Sequence, residues 1–204
     1  MSGNKNEDRT DPFEDEYLLD RINQLYDKNL TLLQALLKQS HWEDNKLGLL
    51  RQQEDILSYL EWLVTKTELK YHRQQKTPFP LIRNGLYWAE LGQNIGSEYN
   101  KRRPVIVISA IPGSTVTTVI PLTTKRKNDG RWTHIDLECH DSTALCEHLR
   151  VISKARLQKP LHVTKKNTEG TNYRKNQRDR ILALSSQDKH QIRATLKRLY
   201  TIVD

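Results

Sequence analysis

The chain has 204 residues, 36% of them hydrophobic, with a formal net charge of +8 and a sequence pI near 9.4. That apolar content is enough to build a core and excludes wholesale disorder. No apolar run approaches the length that spans a bilayer, and the first twenty residues are acidic rather than signal-like, so a cytoplasmic protein without membrane contact is expected. The two cysteines, Cys139 and Cys146, lack a C-x-x-C spacing. This argues for a reducing compartment and against a disulfide framework or a zinc site. Charge is unevenly spread. Residues 1–80 carry 11 Lys/Arg against 14 Asp/Glu, and residues 81–204 carry 22 against 11. The second part is the one expected to seek a polyanion through counterion release, although a solvated basic surface has the same composition.

Residues 1–12 read as a flexible polar N-terminus and residues 13–75 as a helical module. Tyr17, Leu18, Ile22, Leu25, Tyr26, Leu30, Leu33, Leu36 and Leu37 recur at helical spacing after Asp11-Pro12, a cap followed by a first-turn proline. Residues 40–45 read as a break. Leu47, Leu50, Ile56, Leu57, Leu60, Leu63 and Val64 then predict a second helix reaching towards Tyr71. The heptads are irregular, so a helical hairpin is favoured over a long coiled coil. Residues 76–82 form the linker, where Pro78 and Pro80 end any helix.

From residue 83 to 204 the texture becomes β. Strands are expected over residues 86–91, 105–110, 116–122, 133–137, 149–152 and 181–184, with turn signals at Pro112-Gly113 and Asn128-Asp129-Gly130. Closely spaced strands of this kind suggest a small barrel or strongly curved sheet, giving an α+β chain overall. Ser186 is the expected N-cap of a final helix with Ile192, Leu196, Leu199 and Ile202 on its apolar side. Residues 158–180 read as a long basic insertion with seven cations and two acids. Between the first two strands, a Gly- and Asn-rich loop carries Ser97 and Glu98 and ends in Lys101, Arg102 and Arg103. Loops held on a rigid sheet are where chemistry is usually placed.

Gly85-Leu86-Tyr87-Trp88, Gly96-Ser97-Glu98 and Arg103-Pro104-Val105 resemble the opening blocks of the MazF/PemK toxin family, which has CcdB-like relatives. Pro121-Leu122-Thr123, then Thr133-His134-Ile135-Asp136, then the stretch from Ala144 to Ile152, followed by Ser153-Lys154-Ala155-Arg156-Leu157, are similar to its later blocks and stand in the same order. Asn84-Gly85-Leu86 departs from the R-G-D opening, and His148 stands where Gln is common. The resemblance implies an SH3-like small β-barrel with a C-terminal helix, preceded here by an α-helical N-terminal module. It also implies a homodimeric, sequence-selective endoribonuclease that needs no metal or cofactor. Such an enzyme cuts single-stranded RNA (mRNA) to 2′,3′-cyclic phosphate and 5′-hydroxyl ends, and a cognate antitoxin covers its groove.

Metal-free RNA cleavage requires a base for the 2′-hydroxyl, donors to the phosphate oxygens and an acid for the departing oxygen. Arg103 offers a fixed charge and a planar fork to phosphate, with a surface salt bridge to Glu98 or Glu147 as its structural alternative. Thr123 can donate its hydroxyl at a strand end. Glu98 and Glu147 are candidate bases, and His148 is a weaker one. These make the catalytic set Arg103, Thr123, Glu98 and Glu147. RNA contacts are expected from Ser97, Lys101, Arg102, Thr124, Trp132, His134 and Arg150, and from Tyr173, Arg174 and Lys175 in the basic insertion; Tyr99 is a further stacking candidate, whereas Trp88 is expected in the core. Residues 7–20 hold seven acids and one cation. They either fold back on the basic groove in cis or begin a dimerisation or docking helix. A non-catalytic nucleic-acid-binding protein, a gyrase-directed poison and a degenerate toxin are alternatives on the same fold.

Overall fold

The computed structural model describes residues 12–39, 46–71, 77–163 and 180–201. Two helices come first, α1 (Pro12–Gln39) and α2 (Lys46–Tyr71). The break expected at residues 40–45 lies outside the described residues, as do residues 1–11. The helices form as the periodicity predicts. However, α1 leaves Tyr17, Ile22, Leu25, Tyr26 and Leu30 exposed, so it does not bury its stripe in a tight hairpin. The chain divides between Leu60 and Glu61, inside α2, rather than at the proline-rich segment.

The second unit, Glu61–Asp204, contains seven strands: β1 (Leu86–Glu90), β2 (Arg102–Val107), β3 (Val116–Thr123), β4 (His134–Asp136), β5 (Thr143–Leu145), β6 (Arg150–Ser153) and β7 (Leu157–Pro160). Helix α3 (Ser186–Tyr200) follows. The strands pair in the order β4-β5-β3-β2-β1-β7, with β6 also on β3. All named pairings are antiparallel. This is the expected α+β arrangement. Among the described residues no named pairing joins β4 to β7.

Both faces of the sheet are apolar because the strands alternate two buried sets. Leu86, Ile106, Ile120 and Leu122 lie on one side, packed with Leu182, Leu184 and Ile192 from the C-terminal segment and α3. Tyr87, Ala89, Val105, Val107 and Val119 lie on the other, closed by Ile152, Leu157 and Ile181. Each fully buried Leu or Ile contributes about 1.5–3 kcal/mol relative to exposure. Phe79, Leu81 and Ile82 pack on this second core as well. The Tyr87 hydroxyl donates to the Pro80 carbonyl at 3.0 Å and accepts from the Ile82 amide at 2.9 Å. Residues 79–82 are therefore part of the domain rather than free linker.

The basic insertion begins as sheet. β7 carries Gln158, Lys159 and Pro160 against β1, and His162 bridges Ile181. Residues 181–184 make bridges rather than a continuous strand. The cap of α3 is Ser185, one residue earlier than expected. Its hydroxyl accepts from the Asp188 amide and the Asp188 carboxylate accepts from the Ser185 amide, both at 3.0 Å. Ile202 lies outside the described residues.

Candidate functional site

The loop of residues 91–101 is closed at its base by two backbone bonds, Leu91 N to Lys101 O at 3.1 Å and Lys101 N to Gly92 O at 2.7 Å. Within it, Asn94 donates to the Tyr99 carbonyl at 2.7 Å and its amide reaches the Asn100 side chain at 3.1 Å. Gly92 has φ +94°, and a Cβ there would stand 2.6 Å from the Trp62 ring, so the end of α2 presses directly on the loop base. The Trp62 ring also lies 5.1 Å from the Arg156 guanidinium. Arg156 donates to the carbonyls of Glu90 and Leu91 at 3.1 and 3.0 Å.

Alternation along β2 separates Arg102 from Arg103, and Lys101 lies just ahead of the strand. Arg102 sits on the face of Trp88 and Glu90, 5.4 Å from the indole centroid, with its Nε 3.9 Å from a Glu90 oxygen. Trp88 is half-buried there rather than in the core. Lys101 is exposed, with a left-handed φ of 67°. Arg103 shares a face with Val105 and Val107, at the open end of the second core. The β2–β3 pairing ends at Val105 and Pro121, and beyond it Thr123 pairs with Thr143 of β5. Arg103 spends its Nε on the Asn100 carbonyl at 2.7 Å and lies 4.7 Å from the Tyr99 ring. Among the described residues it has no carboxylate partner, so the surface salt bridge is not formed. Thr123 is buried, and its hydroxyl accepts from the Lys125 amide at 3.2 Å. Thr124, just beyond it, is exposed.

β5 and β6 run in tandem along one edge of β3. β5 pairs Leu122 and Thr123, and β6 pairs residues 116–119. The 3-10 turn Cys146–His148 that joins them therefore faces Ile120 and Pro121. Glu98, Tyr99, Pro121, Glu147, His148, Leu149 and Arg150 line a cleft of about 300 Å3 at this point. Tyr99 meets His148 edge-on at 4.6 Å. Burial pushes the His148 imidazole below its ordinary range. Glu98 and Ser97 are exposed in the loop, and Arg150 is half-buried on β6.

His134 lies deeper, with a side chain only 5% exposed. Its Nδ1 is 2.7 Å from an Asp129 oxygen and its Nε2 is 2.6 Å from Glu147 Oε1. Both ring nitrogens are taken, which leaves neither for a base edge. The other Glu147 oxygen, Oε2, is buried without a hydrogen-bond partner among the described residues. Burial pushes the Glu147 carboxyl up. The donors beside it, its own amide first and then His134, outweigh this and hold it below the usual range. Asp129 is the residue sequence reading passed over, because it registered only as part of a turn tripeptide.

Trp132 is 47% exposed and carries the Arg198 guanidinium at 4.2 Å. Tyr173, Arg174 and Lys175 lie outside the described residues. Burial pushes both cysteine thiols up to about 12, which makes neither a nucleophile at neutral pH. Among the described residues no three His, Cys, Asp or Glu side chains are grouped to hold a metal ion. No described helix is long and apolar enough to cross a membrane.

A family model described as the PemK-like, MazF-like toxin of type II toxin-antitoxin systems matches residues 82–200. The chain belongs to this family. Its span begins at the last residue of the packed segment ahead of β1 and ends with α3. Among solved structures, MazF from Deinococcus radiodurans is similar at 17% identity, covering 61% of this chain and 99% of that one, with a TM-score of 0.45. An endoribonuclease in complex with its cognate antitoxin from a mycobacterial species is similar at 13% identity, covering 61% and 100%, with a TM-score of 0.42. The Deinococcus MazE–MazF complex gives 17%, 60%, 97% and 0.42. No curated protein sequence matches the chain.

Proposed function

We propose that the chain is a toxin-type endoribonuclease that cleaves single-stranded RNA by attack of the 2′-hydroxyl on its own phosphate. The observation that carries this reading is the cleft lined by Glu98, Tyr99, Glu147 and Arg150, with the Arg103 guanidinium 4.7 Å from the Tyr99 ring and without a carboxylate partner among the described residues. The terminal nitrogens of Arg103 hold the non-bridging phosphate oxygens, where negative charge grows in the transition state. The Thr123 hydroxyl orients the same phosphate. The Glu147 carboxylate accepts the 2′-hydroxyl proton, the 2′-oxygen bonds to phosphorus, and the 5′-oxygen leaves with a proton from solvent in the open cleft. The products are a 2′,3′-cyclic phosphate and a 5′-hydroxyl. Arg150 and Tyr99 flank the path of the strand, and the Trp132 ring offers a surface for a base. Family membership makes a cognate antitoxin the expected protein partner. A homodimer on the barrel-like sheet, a cytoplasmic location and selectivity for particular RNA sequences complete the reading.

The test is incubation of a long single-stranded RNA in EDTA with the wild-type protein and with Arg103→Ala. Discrete fragments with 5′-hydroxyl ends are expected from the wild type. The variant should cut about 10²–10³-fold more slowly, the usual cost of losing one donor to a developing oxyanion. Intact RNA with both proteins would sink the proposal and favour a binding or gyrase-directed toxin.

A further inference from the structure

We infer that Asp129 is a positioning residue for Glu147, acting through His134 at a distance from the RNA. The inference rests on the reading of Glu147 as the base, and it extends the site to a residue in the loop between β3 and β4. Two short contacts define it, Asp129 to Nδ1 at 2.7 Å and Glu147 Oε1 to Nε2 at 2.6 Å. Nitrogen and oxygen approach this closely only with a proton between them. We take both carboxylates as ionised, so that each contact requires a proton on the ring nitrogen and the ring stands as an imidazolium between two anions. The almost complete burial of the His134 side chain keeps water from competing for either contact.

The consequence falls on Glu147. Its Oε1 is tied by a charge-assisted bond, so the carboxylate plane is fixed, and the Thr133 hydroxyl adds a second, neutral donor to the carboxyl. The positive ring also favours the ionised form of Glu147. Without Asp129, nothing obliges Nδ1 to be protonated. The neutral ring still donates Nε2–H to Glu147, so the geometry survives while the cation is lost. Asp129 therefore sets charge rather than shape. Other groups face this trio. Arg131 lies beside Asp129, and its amide donates to Oδ1 at 3.2 Å. His148, Arg150 and Glu98 face Glu147 from the turn, β6 and the loop of residues 91–101, and the Cys146 thiol adjoins it. None of them approaches His134 as the two carboxylates do.

Asp129→Asn is the discriminating change. The amide oxygen can still accept from the Arg131 amide, so the turn is kept, and the amide NH2 can donate to Nδ1. The first measurement is the titration of the Glu147 side-chain carboxyl by 13C NMR in the full chain. In the wild type it titrates below the ordinary range, and in Asp129→Asn it moves up. The second is the pH profile of RNA cleavage. A base that is harder to ionise moves the acid limb of the profile to higher pH. At low pH the rate falls by about tenfold for each unit of that shift, with KM unchanged. A Glu147 titration unmoved by the substitution overturns the inference, whatever the activity. A uniform rate loss with no shift of the acid limb overturns it too, because it would mark a merely structural role. If the wild type cuts no RNA, the nuclease reading falls while the carboxyl titration still decides the coupling.

Discussion

The N-terminal end of α3 and the cleft beside β3 each hold a carboxylate that burial pushes up and hydrogen bonds pull down. Their accounts close differently. Asp188 accepts from the amides of Ser185 at 3.0 Å, Glu138 at 2.8 Å and Cys139 at 3.3 Å, and both of its oxygens are used. It caps a helix and pins the segment after β4 in one act. Glu147 has one oxygen held by His134, and the other is buried without a geometric hydrogen bond among the described residues, with the Thr133 hydroxyl a further donor to the carboxyl. A buried acceptor left unmade costs about 1–3 kcal/mol. A fold that satisfies Asp188 so fully a short distance along the same chain does not leave Glu147 open for want of donors. The difference separates a carboxylate that builds the domain from the one proposed as the base.

Substitutions should break this comparison cleanly, and the largest effect is expected at the open carboxylate. Glu147→Gln removes a base and should lower the cleavage rate by about 10²–10⁴-fold, while its melting temperature stays near that of the wild type. Loss of stability equal to the loss of rate would place Glu147 with Asp188 as a structural group. Asp188→Ala should do the reverse. It removes a capping box and the acceptor of two further amides in a fully buried position, a cost of about 2–3 kcal/mol by denaturant unfolding. Any effect on cleavage should follow the unfolded fraction alone.

The same site gives a pH signature. The folded Asp188 carboxyl is held below its unfolded value, so its contribution is fully present above the unfolded pKa, about 3.9, and is lost as pH falls through the lower folded value. Wild-type stability should fall in that acid window. Asp188→Ala should show a shallower fall, measured as unfolding midpoints across the window.

The sequence shows the two carboxylates unequally. The strand face of Arg103 is legible by alternation along β2, and the strand end at Thr123 by the Pro121-Leu122-Thr123 block. The same alternation, applied one residue back, separates Arg102 from the cleft. β5 escapes a period-two reading because Thr143, Ala144 and Leu145 are all buried. β7 escapes because Gln158, Lys159 and Pro160 carry no strand pattern, and backbone pairing with β1 holds them. Ser185 and Ser186 are chemically equal as caps, and only the reach to Asp188 three residues on from Ser185 chooses between them. Asp129 could not be found in advance, since Asn-Asp-Gly means a turn and nothing local points it at His134.

A third carboxylate sets the floor of the comparison. Asp141 pairs with Lys127 in full solvent exposure, and the lysine holds its carboxyl below the usual range. Exposed pairs gain little, because water and salt screen the charges and two mobile side chains must be held still. Asp141→Asn is therefore expected to leave the unfolding midpoint and the cleavage rate unchanged. Asp188→Ala and Glu147→Gln, measured alongside, should each lose one property. A midpoint for Asp141→Asn that drops as far as that of Asp188→Ala would mean that a lowered carboxyl pKa marks stability wherever it occurs. Burial and satisfied amides would then no longer explain what sets Asp188 apart.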